Sequence, residues 1–286
     1  HIVVLWLAGG EGVCCPRALA QDLSTRLKQA VVVENRAGAT GAIGISHVVR
    51  SKPDGHTLLF ANTTAVVGNV VSSPVPVGFD PLTDLTPVAI TVDSAYVLWA
   101  HPASGIKSVD DLVARARDKA RPQLAFGITG PGSLSELSVE QIARHYDLPL
   151  TKVPYKGSAP QLADLVAGHT QIGTADPSVA LPHFQDGRLV PLLVIDNERL
   201  AELPGLPSLK ELAIDGPDLT IWNGLFAPAN VPAEVLAALS RAVGESVRSA
   251  TYTNVANGPG RRALFEPGNE AAVRVKRDLD DRRRYK

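Results

Sequence analysis

Short apolar runs alternate along the chain with turn-rich segments and amphipathic helices. Residues 2–7 are six consecutive apolar positions rich in β-branched types, which predicts a buried strand. Residues 31–34 and 57–61 repeat this pattern, and helical spacing of apolar positions begins near Pro16 and again near Ile43. Repeated strand–helix units of this kind predict a parallel sheet covered by helices.

The same alternation restarts after His101 and Pro102. The pattern predicts strands at 87–92, 95–100, 124–127, 151–155, 170–175, 189–195 and 219–226. It predicts helices at 134–146, 159–167, 178–185, 232–249 and from 269 onward, and a capping box at Ser108 and Asp111. We therefore expect an α/β protein with two lobes.

Composition narrows the class of protein. The 286 residues carry 28 Lys and Arg against 29 Asp and Glu, a net charge of −1, which argues against a nucleic-acid partner. No apolar run approaches the ~20 residues that span a bilayer, so we expect no membrane insertion. The chain contains no Met and begins at His1, and we expect that a signal peptide has been removed.

The two cysteines, Cys14 and Cys15, are adjacent and cannot form a disulfide framework. We expect two thiols, at least one of them buried. Neither cysteine has C-x-x-C spacing, and no two of the seven histidines form a close ligand pair, so we expect no metal site. The chain also lacks the G-x-S-x-G and G-x-x-x-x-G-K-[ST] motifs, and we expect neither catalysis nor a cofactor.

One enzyme-like pattern provides an alternative. Gly10 and Gly12 follow a predicted strand and precede a helix, and Glu34 ends the next strand, as in dinucleotide-binding folds. Cys15 stands where the third glycine of that fingerprint belongs. The alternative is therefore a dinucleotide-dependent oxidoreductase.

Small residues rich in backbone N–H groups follow several predicted strands, at 8–12, 38–41, 63–64 and 129–133. The carboxyl ends of parallel strands share one edge of a sheet, and ligands bind at that edge. Helix N-termini and Ser/Thr hydroxyls there suit a carboxylate or a phosphate. Four such loops in two lobes predict a small anionic ligand held between the lobes.

Five segments carry a resemblance to a known family. They are V-V-V-E-N-R-A-G-A at 31–39, P-D-G-H-T-L-L at 53–59, V-P-Y-K-G-S-A-P at 153–160, A-L-P-H at 180–183 and W-N-G-L-F-A-P at 222–228. In this order they closely resemble the substrate-binding receptors of tripartite tricarboxylate transporters, the Bug family of periplasmic proteins. The similarity runs from near His1 to about Ala250.

The resemblance implies a two-lobed periplasmic-binding-protein (Venus flytrap) fold, in which each lobe is a mostly parallel sheet flanked by helices. Lobe one would comprise 1–98 plus 223–286 and lobe two 99–222, with two hinge crossings. The implied function is capture of a small carboxylate in the periplasm, without chemistry or cofactor, and delivery to membrane transporter components. We expect a monomer. A ligand sensor that feeds a signalling partner is a further alternative.

The resemblance also implies which residues contact the ligand. The first strand–helix loop would contribute Leu7, Ala8, Gly10, Glu11 and Gly12. Its counterpart in lobe two would contribute Thr129, Gly130, Pro131 and Ser133. Thr63, Thr64, Tyr155 and Asp176 match further pocket positions, although Tyr155 could instead be a packed aromatic residue and Asp176 a helix cap. Gly12-Val13 replaces the family's usual Thr-Asp, and Glu11 adds a charge.

Overall fold

The computed structural model describes residues 1–5, 14–38, 41–72, 76–130 and 133–285. These residues form two compact units. The first unit comprises His1–Asp93 and Ile221–Arg284, and the second comprises Ser94–Thr220 together with Tyr285. The chain therefore crosses from the first unit to the second after Asp93 and returns after Thr220.

Each unit contains one mixed sheet. The strands are β1 (Ile2–Val4), β2 (Val33–Asn35), β3 (Leu58–Asn62), β4 (Leu85–Ser94), β5 (Tyr96–Ala100), β6 (Leu124–Ile128), β7 (Leu150–Pro154), β8 (Ile172–Ala175), β9 (Val190–Ile195), β10 (Ile221–Pro228) and β11 (Arg261–Pro267). The six-stranded sheet has the order β11-β4-β10-β3-β1-β2, and the five-stranded sheet has the order β7-β6-β8-β5-β9.

Helices cover both sheets. They are α1 (Cys14–Leu27), α2 (Ala42–Val49), α3 (Asn69–Ser72), α4 (Val109–Arg117), α5 (Leu134–Tyr146), α6 (Ser158–Ala167), α7 (Pro177–Gln185), α8 (Ala233–Ser246), α9 (Ala250–Ala256) and α10 (Gly268–Arg284). A π-helix spans Thr64–Gly68 and a 3₁₀ helix spans Pro102–Ser104. Among the described residues, none of these helices combines the length and apolarity needed to cross a membrane.

Strand pairing confirms the predicted parallel arrangement around β1 and β6. β1 runs parallel to β2 and to β3, with Ile2 opposite both Val33 and Leu58. β6 likewise runs parallel to β7 and β8, whereas β10 is antiparallel to β3 and β5 is antiparallel to β8 and β9. The carboxyl ends of β1, β2 and β3 thus share one sheet edge, as do those of β6, β7 and β8.

Both faces of the first sheet are buried, which explains why its central strands are continuous apolar runs. Ile2 and Val4 join a core formed with α1, α8 and α9, whereas Val3 joins the opposite core with α2 and α10. In the second unit, Trp99 is fully buried in a core that also contains Leu165 of α6.

The structure differs from the predicted pattern chiefly between residues 246 and 268. The helix predicted for 232–249 ends at Ser246, because Ser249 caps a new helix, α9, by accepting a hydrogen bond from the Tyr252 N–H. The sequence pattern also missed β11, which lies beside β4. By contrast, α5 has the predicted bounds, and Ser108 caps α4 through the N–H of Asp111 as predicted.

Candidate ligand-binding site

The predicted site residues fall into two groups in the structure. Thr63 and Thr64 follow β3 in the first unit. The residues in the second unit follow β6, β7 and β8 and are Thr129, Gly130, Ser133, Tyr155 and Asp176. The remaining predicted residues, Leu7, Ala8, Gly10, Glu11, Gly12 and Pro131, lie outside the described residues.

Three of these residues lie at the carboxyl edge of the second sheet. Thr129, Tyr155 and Asp176 are the residues that directly follow β6, β7 and β8, which are neighbours in the order β7-β6-β8. The N–H of Tyr155 extends the pairing by donating to the Ile128 carbonyl at 2.8 Å. Parallel pairing therefore collects the three residues at the type of edge where α/β proteins bind ligands.

Ser135, in the first turn of α5, organises this edge. Its side-chain oxygen accepts a hydrogen bond from the Thr129 N–H at 2.8 Å. The same oxygen lies 3.1 Å from the Thr129 hydroxyl and 2.9 Å from the Ser133 hydroxyl. Ser135 is 3% exposed, whereas Thr129 and Ser133 are half-buried. The buried Ser135 hydroxyl therefore holds the two more accessible hydroxyls in place.

The hydroxyl hydrogens of this cluster can be counted. Three hydroxyls bring three hydrogens, and the two links between side chains use two of them. The Ser135 oxygen has two lone pairs, and one of them already accepts the Thr129 N–H. Ser135 can therefore accept a hydrogen from only one of the two neighbouring hydroxyls and donates its own hydrogen to the other. Among the contacts of the described residues, one hydrogen on Thr129 or Ser133 thus remains for a ligand.

The backbone of the loop is only partly available. The Thr129 N–H is used by Ser135, and the Ser133 N–H donates to the Gly130 carbonyl at 3.2 Å. The N–H groups of Leu134 and Ser135 lie in the first turn of α5, where a helix offers no carbonyl partner. The N–H groups of Thr129 and Ser133 are therefore engaged within the protein, whereas the hydroxyls and the first N–H groups of α5 are available donors at this edge.

Tyr155 donates its hydroxyl hydrogen to Asp164 Oδ2 at 2.8 Å. Burial, followed by the hydrogen bond to this carboxylate, raises the pKa of Tyr155 to about 12. The hydrogen bonds from Tyr155 and His169 lower the pKa of Asp164. Because its hydrogen is engaged, the Tyr155 hydroxyl can act toward a ligand only as an acceptor. Contact of Tyr155 with a ligand stays a prediction.

Asp176 caps α7, one of the two roles weighed for it from the sequence. Its Oδ1 accepts a hydrogen bond from the Ser178 N–H at 2.8 Å, and Pro177 occupies the first helical position. Capping uses one carboxylate oxygen of a half-buried side chain. Ligand contact by Asp176 stays a prediction.

In the first unit, Thr63 is fully buried and interacts with β10. The Trp222 N–H donates to the Thr63 side-chain oxygen at 2.9 Å, and the Thr63 hydroxyl donates to the Trp222 carbonyl at 3.3 Å. Thr64 begins the π-helix and is partly exposed. Asn62 accepts the Ala65 N–H and so fixes the turn between β3 and that helix. The predicted ligand contacts of Thr63 and Thr64 stay predictions.

Sequence reasoning missed Ser135 and Asp164. Ser135 lies two residues after Ser133, and a serine in the first turn of a predicted helix that follows a strand is a usable signal. Asp164 could not be found in this way, because only the fold brings the middle of α6 to the Tyr155 hydroxyl. Across the described parts of the chain, no group of His, Cys, Asp and Glu side chains is arranged to hold a metal ion.

The sequence model of the family described as "Tripartite tricarboxylate transporter family receptor" matches residues 15–275 of this chain. The chain belongs to this receptor family. It is 31% identical to the protein BugT of Bordetella pertussis (strain Tohama I) over 87% of this chain and 76% of that protein. It is 34% identical to a UPF0065 protein of Bordetella bronchiseptica over 86% of this chain and 72% of that protein.

A solved structure supports the same assignment. Rpa4515 of R. palustris, solved with adipate, superimposes with a TM-score of 0.83 at 28% identity and covers 98% of this chain and 93% of its own. The family assignment and the two-lobed α/β fold predicted from the sequence are confirmed. This receptor is a periplasmic solute-binding protein and not an enzyme. The dinucleotide alternative was wrong, and its Glu34 carboxylate pairs with Arg36 at 2.6 Å.

Proposed function

We propose that this receptor captures a small carboxylate and delivers it to the membrane components of a tripartite tricarboxylate-type transporter. The proposal includes two lobes and a monomeric receptor. The crossings of the structure, after Asp93 and after Thr220, lie five and two residues before the predicted lobe bounds of 1–98 plus 223–286 and 99–222. The observation that supports this proposal most directly is the cluster of three hydroxyls around Ser135, at the carboxyl edge of the second sheet. Its spare hydrogen and the first N–H groups of α5 are neutral donors that suit a carboxylate oxygen.

The N-terminus of α5 adds a favourable field. The aligned peptide dipoles of this helix leave a partial positive charge at its first turn. Glu136 also lies in that turn and would oppose an anion, but Lys152 Nζ contacts Glu136 at 2.8 Å and Glu140 at 2.7 Å. The ammonium group thereby offsets part of this acidic charge, because it is shared between the two carboxylates.

A relative supports the class of ligand. Rpa4515, at 28% identity, was solved with adipate, a dicarboxylate. Neutral donors compensate a carboxylate through hydrogen bonds that strengthen where water is excluded. This arrangement favours reversible capture, because the described donors at this edge are neutral and leave no charge to be paired when the ligand departs.

Calorimetry on ligand-free receptor tests the capture step. Adipate and a panel of mono- and dicarboxylates are titrated alongside adipamide, which keeps the shape of adipate without its charge. We expect at least one carboxylate to bind and the diamide not to bind. Binding of the diamide as tightly as adipate, or no binding by any carboxylate, would contradict the proposal.

Two serines of α5 provide a matched pair of variants. Ser135→Ala removes the centre of the cluster and should weaken binding of the identified carboxylate by about tenfold, the equivalent of one hydrogen bond. Ser138→Ala removes a buried hydroxyl that donates only to the Ser135 carbonyl, and binding should be unchanged. Delivery is then tested as receptor-dependent uptake of that carboxylate into vesicles that contain the transporter components.

A further inference from the structure

Two charged side chains with little exposure to solvent lie one turn apart on α10. They are Arg274, whose side chain is 11% exposed, and Asp278, which is 3% exposed. Each contacts a residue next to one of the two places where the chain passes between the units. A single helix of the first unit thus contacts both crossing segments.

Arg274 holds the outgoing segment. Its guanidinium group lies 3.0 Å from Asp93 Oδ1, and Asp93 is the last residue of the first unit before the crossing. Glu266 of β11 contacts the same guanidinium at 2.6 Å. Burial raises the pKa of Asp93, and the Arg274 charge works against that shift. The end of β4 is therefore tied to α10 by a largely shielded ion pair, whose side chains are 11% and 14% exposed.

Asp278 holds the returning segment. Its Oδ2 accepts a hydrogen bond from the Trp222 indole N–H at 2.7 Å, and Trp222 is the second residue after the return crossing. The Trp222 backbone is fixed on its other side by Thr63. The indole is fully buried, so this contact lies inside the core of the first unit.

Regular structure stops just beyond both contacts. Ala95 separates β4 from β5, and residues 218–220 precede β10 without regular hydrogen-bonded structure. A change in orientation between two units is absorbed by a few residues at the ends of elements. Asp93 and Trp222 cannot supply that change without breaking the Arg274 ion pair or the buried hydrogen bond to Asp278.

We propose that α10 acts as a brace for the hinge. Arg274 and Asp278 fix the first-unit ends of both crossings, so rotation between the units is confined to the backbone near Ala95 and residues 218–220. Arg274 and Asp278 are positioning residues that touch no ligand. The proposal does not depend on which ligand the receptor binds.

Pulsed electron paramagnetic resonance on the ligand-free 286-residue chain tests the brace. Spin labels are attached at Ala114→Cys on α4 and Arg241→Cys on α8, which are exposed positions in different units. The exposed native thiol is removed with Cys14→Ser, and Cys15 is buried. The measured quantity is the width of the distance distribution between the two labels.

We expect Arg274→Ala and Asp278→Ala each to broaden the distribution, roughly twofold, because an anchored end becomes a further pivot. The matched control is Lys276→Ala, on the same helix, which removes only an exposed ion pair with Asp280 and should leave the width unchanged. Unchanged widths in both alanine variants, or equal broadening in the control, would overturn the proposal.

A milder series keeps the test decisive if an alanine variant fails to fold. Asp278→Asn retains an oxygen that accepts the Trp222 indole N–H, whereas Trp222→Phe removes the donor. The brace predicts the parent width for Asp278→Asn and a broadened distribution for Trp222→Phe, with native circular dichroism in both. The opposite order of widths would contradict it.

Discussion

Thr63 and Trp222 exchange two hydrogen bonds although 159 positions separate them in the sequence. The threonine directly follows β3, and its side chain pairs with both backbone polar groups of one residue in β10. Thr63, for which the family resemblance implies a ligand contact, thus links the end of β3 to β10 in the first sheet.

Thr63→Val keeps the shape of this side chain and removes both hydrogen bonds. The buried N–H and C=O of Trp222 then lack their partner, and we expect the free energy of unfolding to fall by about 1–3 kcal/mol. Urea unfolding measures the change. Thr64→Val, one residue along and partly exposed, is the matched control and should change stability much less. Equal effects of the two variants would contradict the role assigned to Thr63.

Two substitutions separate the helix-capping role of the Asp176 side chain from its charge. Asp176→Ala removes the hydrogen bond to the Ser178 N–H and should lower the free energy of unfolding by about 1 kcal/mol. Asp176→Asn keeps a capping oxygen and should stay within a few tenths of a kcal/mol of the parent. Thermal unfolding distinguishes them, and the cap would be refuted by equal losses in both variants.

The adjacent cysteines should react very differently. Cys14 is exposed, whereas Cys15 is buried, and burial raises the pKa of Cys15 to about 11. At about pH 8, only roughly one Cys15 thiol in a thousand is ionised, so an alkylating agent should modify Cys14 alone. Mass spectrometry of the digested protein locates the label. In denaturant both thiols should react, and equal labelling of the native protein would contradict the burial of Cys15.

Tyr155 should contribute to the alkaline pH dependence of stability. Its pKa rises from 10.0 to about 12 on folding, so its contribution is fully present below pH 10. Between pH 10 and about 12 the unfolded chain loses the phenol proton while the folded chain keeps it, and the free energy of unfolding falls. Tyr155→Phe should make this fall shallower in urea unfolding. The same slope in parent and variant would rule out the raised pKa.

Much of the secondary structure followed from local patterns. The bounds of α5 and the cap of α4 were predicted correctly because capping residues and apolar spacing act within a few positions. The segment that forms α9 and β11 was missed, since β11 is stabilised by lying beside β4, more than 160 positions earlier. Only β-strand pairing, which is non-local, defines such an element.

The candidate site shows the same division. The Thr129 and Ser133 positions could be found from a turn that follows a strand and precedes a helix. The engagement of Tyr155 with Asp164, and of Thr63 with Trp222, could not be found, because side-chain hydrogen bonds depend on which elements pack together.

The sequence by itself determined the alternation of strands and helices, the two α/β units and the family, because local apolar periodicity and specific short motifs carry that information. Only the tertiary structure decided which donors are available, with Ser135 organising one edge and Thr63 engaged by Trp222. It also decided that α10 contacts both crossings. The physical reason is that burial and hydrogen-bond partners are set by distances in space, which a linear pattern does not record.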